Sequence, residues 1–185
     1  MPELITPDVR VHATFLEAME EFAAEGRGRD DDSSMVGRDL REHRASWHEA
    51  EDFAAYVSDV VSDRLEDAPR PQGFVSATTL WWVDGDTYLG RIAIRHRLND
   101  WLREYGGHIG YDVRRSARRR GHATAMLRAA LPYANSLGID SALVTCDEDN
   151  VASRRVVEAA GGVFEDARAV PGMQPKLRYW VPTGP

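Results

Sequence analysis

Residues 108–138 read HIGYDVRRSARRRGHATAMLRAALPYANSLG, and the frame of the fold is legible there. His108 to Val113 reads as a strand. Gly121 to Leu137 reads as a helix, with Ala123, Met126, Leu127, Ala130, Leu131 and Ala134 on one face. Gly138 is a natural stop, and Pro132 predicts a kink. Between strand and helix lies RRRGHA, residues 118–123, with the spacing Arg-x-x-Gly-x-Ala. A strand leads in, a turn follows and a helix begins at once. Free N–H groups and the positive end of the helix dipole then point the same way, which makes a phosphate-binding site.

Upstream, Leu4-Ile5 reads as a short strand. Thr14 to Glu25 carries Phe15, Leu16, Met19 and Phe22 at helical spacing, and Thr14 with Glu17 fits a capping box. The polar segment Gly26 to Ser34 predicts a mobile loop. A second helix is expected within Trp47 to Leu65, and Asp67 to Gly73 is a Pro-rich connector. Phe74 to Val83 and Tyr88 to Ile94 then form a hairpin around Asp84-Gly85-Asp86. Leu98 to Gly107 reads as an irregular link. Downstream come a short buried strand, Ser141 to Cys146, a helix, Asn150 to Ala160, and strands near Val163-Phe164 and Leu177 to Val181. This order predicts an α/β fold: a mixed, mostly antiparallel central sheet flanked by helices, in one domain over residues 1–185.

The 185 residues, 43% of them hydrophobic, suffice for a real core. The net charge of −7 disfavours nucleic acid as a partner. Against that background Arg114, Arg115, Arg118, Arg119 and Arg120 make a local basic island suited to a small polyanion. A lone cysteine, Cys146, excludes an intramolecular disulfide framework and a Cys-rich zinc site, and no metal is expected. It reads as a packed strand thiol. The first ten residues lack the pattern of a signal peptide, and no apolar run approaches the ~20 residues of a membrane span. The expectation is a cytoplasmic protein without a membrane partner.

No G-x-x-x-x-G-K-[ST] and no G-x-G-x-x-G after a strand is present, which removes the nucleotide P-loop and the dinucleotide fold. Arg118, Gly121 and Ala123, after Tyr111-Asp112-Val113, instead resemble the strand-to-helix turn of the Gcn5-related N-acetyltransferase (GNAT) superfamily. A second block, Asn150, Ser153, Glu158 and Gly161-Gly162, agrees in spacing. The segments HIGYDVR and LVTCDEDN are also similar to those of bacterial predicted acetyltransferases of undefined substrate.

The resemblance implies an N-acetyltransferase that moves an acetyl group from acetyl-CoA directly to a primary amine of a small molecule or peptide. The alternative is a CoA-binding regulatory module without efficient turnover. The amides of Arg120, Gly121, His122, Ala123 and Thr124 would hold the pyrophosphate. Gly121 is expected because a side chain there would collide, and Arg118 and Arg119 add charge. Val113 is implied as the N–H donor to the thioester oxygen. Asn150 orients cofactor or acceptor or caps its helix, and Ser153 touches pantetheine or helps that cap.

The general base is either His108 or Glu104, with Asp112 on the same face as His108. His108 also fits a hydrogen-bonded structural histidine, and His96 is a weaker candidate. Many family members place a tyrosine seven residues after the asparagine to protonate the leaving thiolate. This chain has Val157 there, which leaves Tyr111 or solvent for the role. Asp147, Glu148 and Asp149 would attract a cationic acceptor or simply face solvent. Trp81 and Trp82, adjacent on a strand, face opposite sides. One of them therefore needs cover from another element or from a second subunit in a homodimer.

Overall fold

The computed structural model describes residues 1–169, 171–172 and 174–184. In chain order the elements are β1 (Glu3–Ile5), α1 (His12–Ala24), α2 (Met35–His43), α3 (Ala50–Ser62), β2 (Ala77–Asp84) and β3 (Thr87–Arg95). There follow β4 (Ile109–Val113), α4 (His122–Ser136), β5 (Ser141–Asp147), α5 (Val151–Ala159), β6 (Val163–Arg168) and β7 (Lys176–Pro182). The seven strands lie in the order β1-β2-β3-β4-β5-β7-β6. Every neighbouring pair is antiparallel except β4 and β5, which α4 joins as a parallel crossover. The expected mixed sheet flanked by helices is the one observed.

Strand alternation assigns each face its own core. Leu80, Trp82, Ile92, Ile94, Ile109, Val144 and Tyr179 pack with Met126 and Leu127 of α4 and Val157 of α5. Phe15, Met19 and Phe22 of α1, Val36 and Leu40 of α2, and Phe53 and Tyr56 of α3 pack with Trp81 and Tyr88 on the other face. Trp81 stacks on Phe15 at 5.3 Å between ring centroids and meets Tyr88 edge-on at 5.4 Å. Both tryptophans of the hairpin are therefore covered within the chain, at 0% and 5% exposure. The exposed indole that pointed to a second subunit does not exist.

The chain before β4 departs from its sequence reading in four places. α1 starts at His12, so Thr14 lies inside the helix rather than capping it. Its hydroxyl sits 2.8 Å from Asp86 O and accepts the Tyr88 N–H at 3.0 Å, tying α1 to the hairpin. That tertiary use displaces the local capping box. The segment Gly26 to Ser34, expected as a loop, is a turn gathered around Asp32. The Asp32 carboxylate accepts from the N–H groups of Gly28 (2.9 Å) and Ser34 (3.0 Å) and from Arg27 Nε (3.2 Å).

Ser34 then caps a helix absent from the sequence reading, α2, by accepting the Gly37 N–H. Its buried positions are Val36, Gly37, Asp39 and Leu40, so a glycine and a carboxylate interrupt the apolar stripe that periodicity would detect. Finally, the link before β4 contains a π-helical turn, Leu102–Gly106, closed by Gly107 N–H on Leu102 O at 2.6 Å.

Candidate functional site

β4 and β5 share a single pairing, Ile109 with Val144. Just before it they are bolted together. His108 N–H donates to Leu143 O at 2.7 Å, and Leu143 N–H donates to His108 Nδ1 at 2.9 Å. Gly107 has φ +65°, and a Cβ there would stand 2.6 Å from Leu143 O, so the approach admits only glycine. Beyond Ile109 the pairing ends. His108 O accepts Arg95 N–H, and Arg114 N–H donates to Leu89 O, both on the β3 side. By alternation the main-chain groups of Tyr111 and Val113 face the opening between β4 and β5.

The opening leads to the RRRGHA turn. Arg119 has φ +62° and Gly121 φ +80°, so two left-handed residues turn the chain into α4. No side chain caps α4, and its first main-chain bond is Ala125 N–H to Gly121 O. The amides of His122, Ala123 and Thr124 thus have no acceptor inside the helix. A Cβ at Gly121 would meet nothing within 4 Å. The glycine is needed for its left-handed φ, and the space before it is open. His122 is held from below, since Trp82 Nε1–H donates to its Nδ1 at 3.2 Å. Free amides, open space and a dipole end fit a pyrophosphate.

The arginine run divides in two. Glu21 of α1 and Glu25 at its C-cap, one turn apart, take the buried Arg114 and the exposed Arg118. Arg114 is buried and gives Glu21 Oε1 two bonds, from Nε (2.9 Å) and Nη2 (2.5 Å). Burial opposes ionisation of Glu21, yet bonds from Arg114 and Ser116 hold its carboxyl below the usual range. Arg118 holds Glu25 with both terminal nitrogens (2.6 and 2.7 Å) and Val113 O with Nε (2.9 Å). Its guanidinium thus braces the turn, tying it to α1 and to the end of β4. Arg119 and Arg120 remain exposed at the surface of the turn.

The catalytic candidates separate. His108 is buried, its Nδ1 already accepts Leu143 N–H, and burial pushes its pKa down to about 4, helped by Arg103 and Arg95. These are the bonds of a structural histidine, one of the two alternatives for this residue. Glu104, on the π-helical turn, is paired with Arg168 of the edge strand β6, 3.3 Å from Nε. Asp112 faces the α1–α2 side, where Arg27 Nη2 donates to its Oδ1 at 2.9 Å.

His96 sits with Thr78 (2.8 Å) on the far side of β3 from the opening. Tyr111 does stand at the opening, its hydroxyl 3.2 Å from Ser153 Oγ. Burial raises its pKa to about 12, so it keeps its proton. Asn150 caps α5 through Ser153 N–H (3.0 Å). Val157 is wholly buried in the core, which explains the absent tyrosine: the position faces inward. Cys146 is buried, as expected of a packed thiol, and burial pushes it up to about 11. Asp147 is taken by Lys176 at 2.5 Å.

Residues 29–163 match the family model described as "Acetyltransferase (GNAT) domain". The chain belongs to the GNAT family. Solved structures agree on the fold of this GNAT protein. The ribosomal-protein-S5-alanine acetyltransferase from Vibrio fischeri is 11% identical with a TM-score of 0.68, covering 98% of this chain and 93% of that one. Mycobacterium smegmatis RimJ, in complex with CoA-disulfide, is 17% identical with a TM-score of 0.66, covering 98% and 81%. The microcin C7 self-immunity acetyltransferase MccE, in complex with acetyl-CoA and AMP, is 13% identical with a TM-score of 0.65, covering 98% and 92%. Among curated proteins, none matches the sequence.

The sequence reading of this GNAT protein missed the Glu21–Arg114 and Glu25–Arg118 pairs and the inward Arg91 and Arg95. A signal for the first was available, since Glu21 and Glu25 repeat the four-residue spacing of Arg114 and Arg118. For the second it was the pattern RIAIR, two cations on one face of a strand otherwise fit for the interior.

Proposed function

We propose that this protein is an N-acetyltransferase that uses acetyl-CoA and acylates a primary amine of a small molecule or peptide. One observation carries the reading: the opening between β4 and β5 runs directly into the unpaired amides of α4. Acetyl-CoA supplies the activated acetyl thioester. The amides of Gly121, His122, Ala123 and Thr124 bind its pyrophosphate, with charge from Arg119 and Arg120. Tyr111 and Val113 offer main-chain groups to the pantetheine arm as a neighbouring strand would, and Val113 N–H polarises the thioester oxygen. Tyr111 Oη–H donates a proton toward the departing sulfur, backed by Ser153.

Two relatives named above were solved in complex with acetyl-CoA or CoA-disulfide, which supports the donor. With His108 held neutral and Glu104 paired with Arg168, the amine loses its proton to water. This suits an α-amine of pKa about 7.7–8.0 better than a lysine at ~10.4.

Incubation with acetyl-CoA and an amine panel, read by thiol release, tests the proposal. Absence of release with every amine, together with absence of CoA binding by calorimetry, would refute it. CoA binding without release would favour the second reading, a CoA-holding regulatory module.

A further inference from the structure

β3 directs two arginines at the α2 face of the sheet, and their surroundings differ. Arg91 is 4% exposed and meets Asp39 Oδ2 at 2.6 Å, where Tyr56 Oη–H also donates at 2.8 Å. The buried Arg178 of β7 meets Asp166 at 2.7 Å and Glu165 at 2.9 Å, and Arg114 meets Glu21. A guanidinium taken from water in this protein thus acquires a carboxylate, as desolvation demands.

Arg95 is the exception. It is half-buried, and its Nη1 donates only to the carbonyls of Gly106 (3.0 Å) and Gly107 (3.1 Å). Among the described residues no carboxylate lies within ion-pair distance of it. Burial lowers its pKa to about 10, and the charge that acts on it is a second cation, Arg38 of α2. Arg38 stacks over Phe74 at 4.9 Å and stands 3.7 Å from Asp39, a carboxylate already shared by Arg91 and Tyr56. Glu42, Asp59 and Asp63 line the cleft that Arg38 and Arg91 share, and Asp63 is engaged by Arg70 at 3.3 Å.

The position of Arg95 is as telling as its lack of a counter-ion. It crosses to Gly110, the first residue of β4 beyond the Ile109–Val144 pairing. A Cβ there would lie 3.9 Å from Arg95 Nη1 and 3.1 Å from Met35 Cε. The glycine keeps that corner low, and Met35 roofs it. We propose that the amine acceptor carries an oxyanion, a carboxylate or a phosphate, and that Arg95, with Arg38, binds this group beside Gly110, at the closed end of the β4–β5 opening. The inference rests on the acetyltransferase reading, since it names the acceptor class of the same site. A guanidinium suits either oxyanion through paired N–H donors. Anchoring the anion there would hold the amine beside the thioester and supply orientation that a lone amine lacks.

The test begins with protein saturated with CoA, so that the α4 amides are already filled. Sodium phosphate and sodium malonate are titrated in separate arms against sodium chloride of equal ionic strength, with thermal unfolding as readout. A rise in Tm with either anion in the wild type, absent in Arg95→Gln and reduced in Arg38→Gln, is expected. The responding arm identifies phosphate or carboxylate. In the thiol-release assay, matched pairs such as an amino acid and its amide should differ at least tenfold in kcat/KM in favour of the anionic member. Arg95→Gln should erase that preference.

An anion response no greater than that of chloride, or one unchanged in Arg95→Gln, would overturn the proposal. If Arg95→Gln fails to fold, the wild-type titration and Arg38→Gln decide it. Loss of the acetyltransferase reading has a different signature, no CoA binding and no thiol release. The phosphate response of wild type against Arg95→Gln can still be read in that case.

Discussion

The Trp82 indole N–H donates to His122 Nδ1 across 3.2 Å, so a core side chain of β2 fixes the first residue of α4. The bond also settles the imidazole as the tautomer that carries its proton on Nε2, the nitrogen left for a phosphate. Trp82→Phe keeps an aromatic ring in the core but removes the donor. The expected result is a loss of about 1 kcal/mol in urea unfolding and a several-fold rise in the Kd for CoA by calorimetry. Unchanged affinity would mean that the His122 ring has no part in binding.

Arg118 and Glu25 should behave as a unit. Arg118→Gln and Glu25→Gln are each expected to weaken CoA binding to a similar degree, because both loosen the same turn. The double variant should lose little more than either single one, the signature of coupled residues. A far larger loss in Arg118→Gln than in Glu25→Gln would place the guanidinium on the phosphate itself.

His108 makes stability depend on pH. Its folded pKa of about 4 lies below the ordinary value of about 6.5, so between those limits the unfolded chain binds more protons. Stability is full above about pH 6.5 and falls as pH drops toward 4, by up to about 3 kcal/mol from this residue. Urea unfolding at pH 7, 6 and 5 measures the slope. His108→Gln, whose carbonyl can still accept Leu143 N–H, should flatten it, and an unaltered slope would assign the effect to other groups.

Tyr111→Phe separates proton donation from fold. The ring stays in the core, and the bond to Ser153 Oγ is lost. Thiol release should slow in kcat by about 10²-fold or more with KM little altered. An unchanged kcat would hand protonation of the sulfur to solvent.

Much of the frame could be read from local pattern. The strand, turn and helix from His108 to Gly138 and the hairpin around Gly85 follow from periodicity and turn chemistry, and both stand in the structure. α2 escaped because its buried face includes Gly37 and Asp39, and Asp39 is inside only because Arg91 and Tyr56 meet it there. That partnership spans 52 residues of chain, beyond the reach of any window. The site was legible to the same extent. The free amides of α4 are a local property of Gly121 and the helix it starts. Which arginines are held in ion pairs depends on Glu21 and Glu25, nearly a hundred residues away. His108 fits two roles as a residue type, and only its bond to Leu143 shows the structural one.

A sheet ordinarily has two edges, and this one has four. Past the Ile109–Val144 pair, β4 and β5 each present an unpaired inner margin in the middle of the molecule, besides the outer margins at β1 and β6. Unpaired margins invite another chain to add itself and are a hazard for aggregation. Here the two inner margins face each other, and Tyr111 reaches across to Ser153, so the slot is bridged as well as narrow. A protein strand with side chains on both faces would have to break that bridge. A slender ligand with amide groups of its own would not. The same geometry that exposes a backbone for binding thus also guards it against the wrong partner.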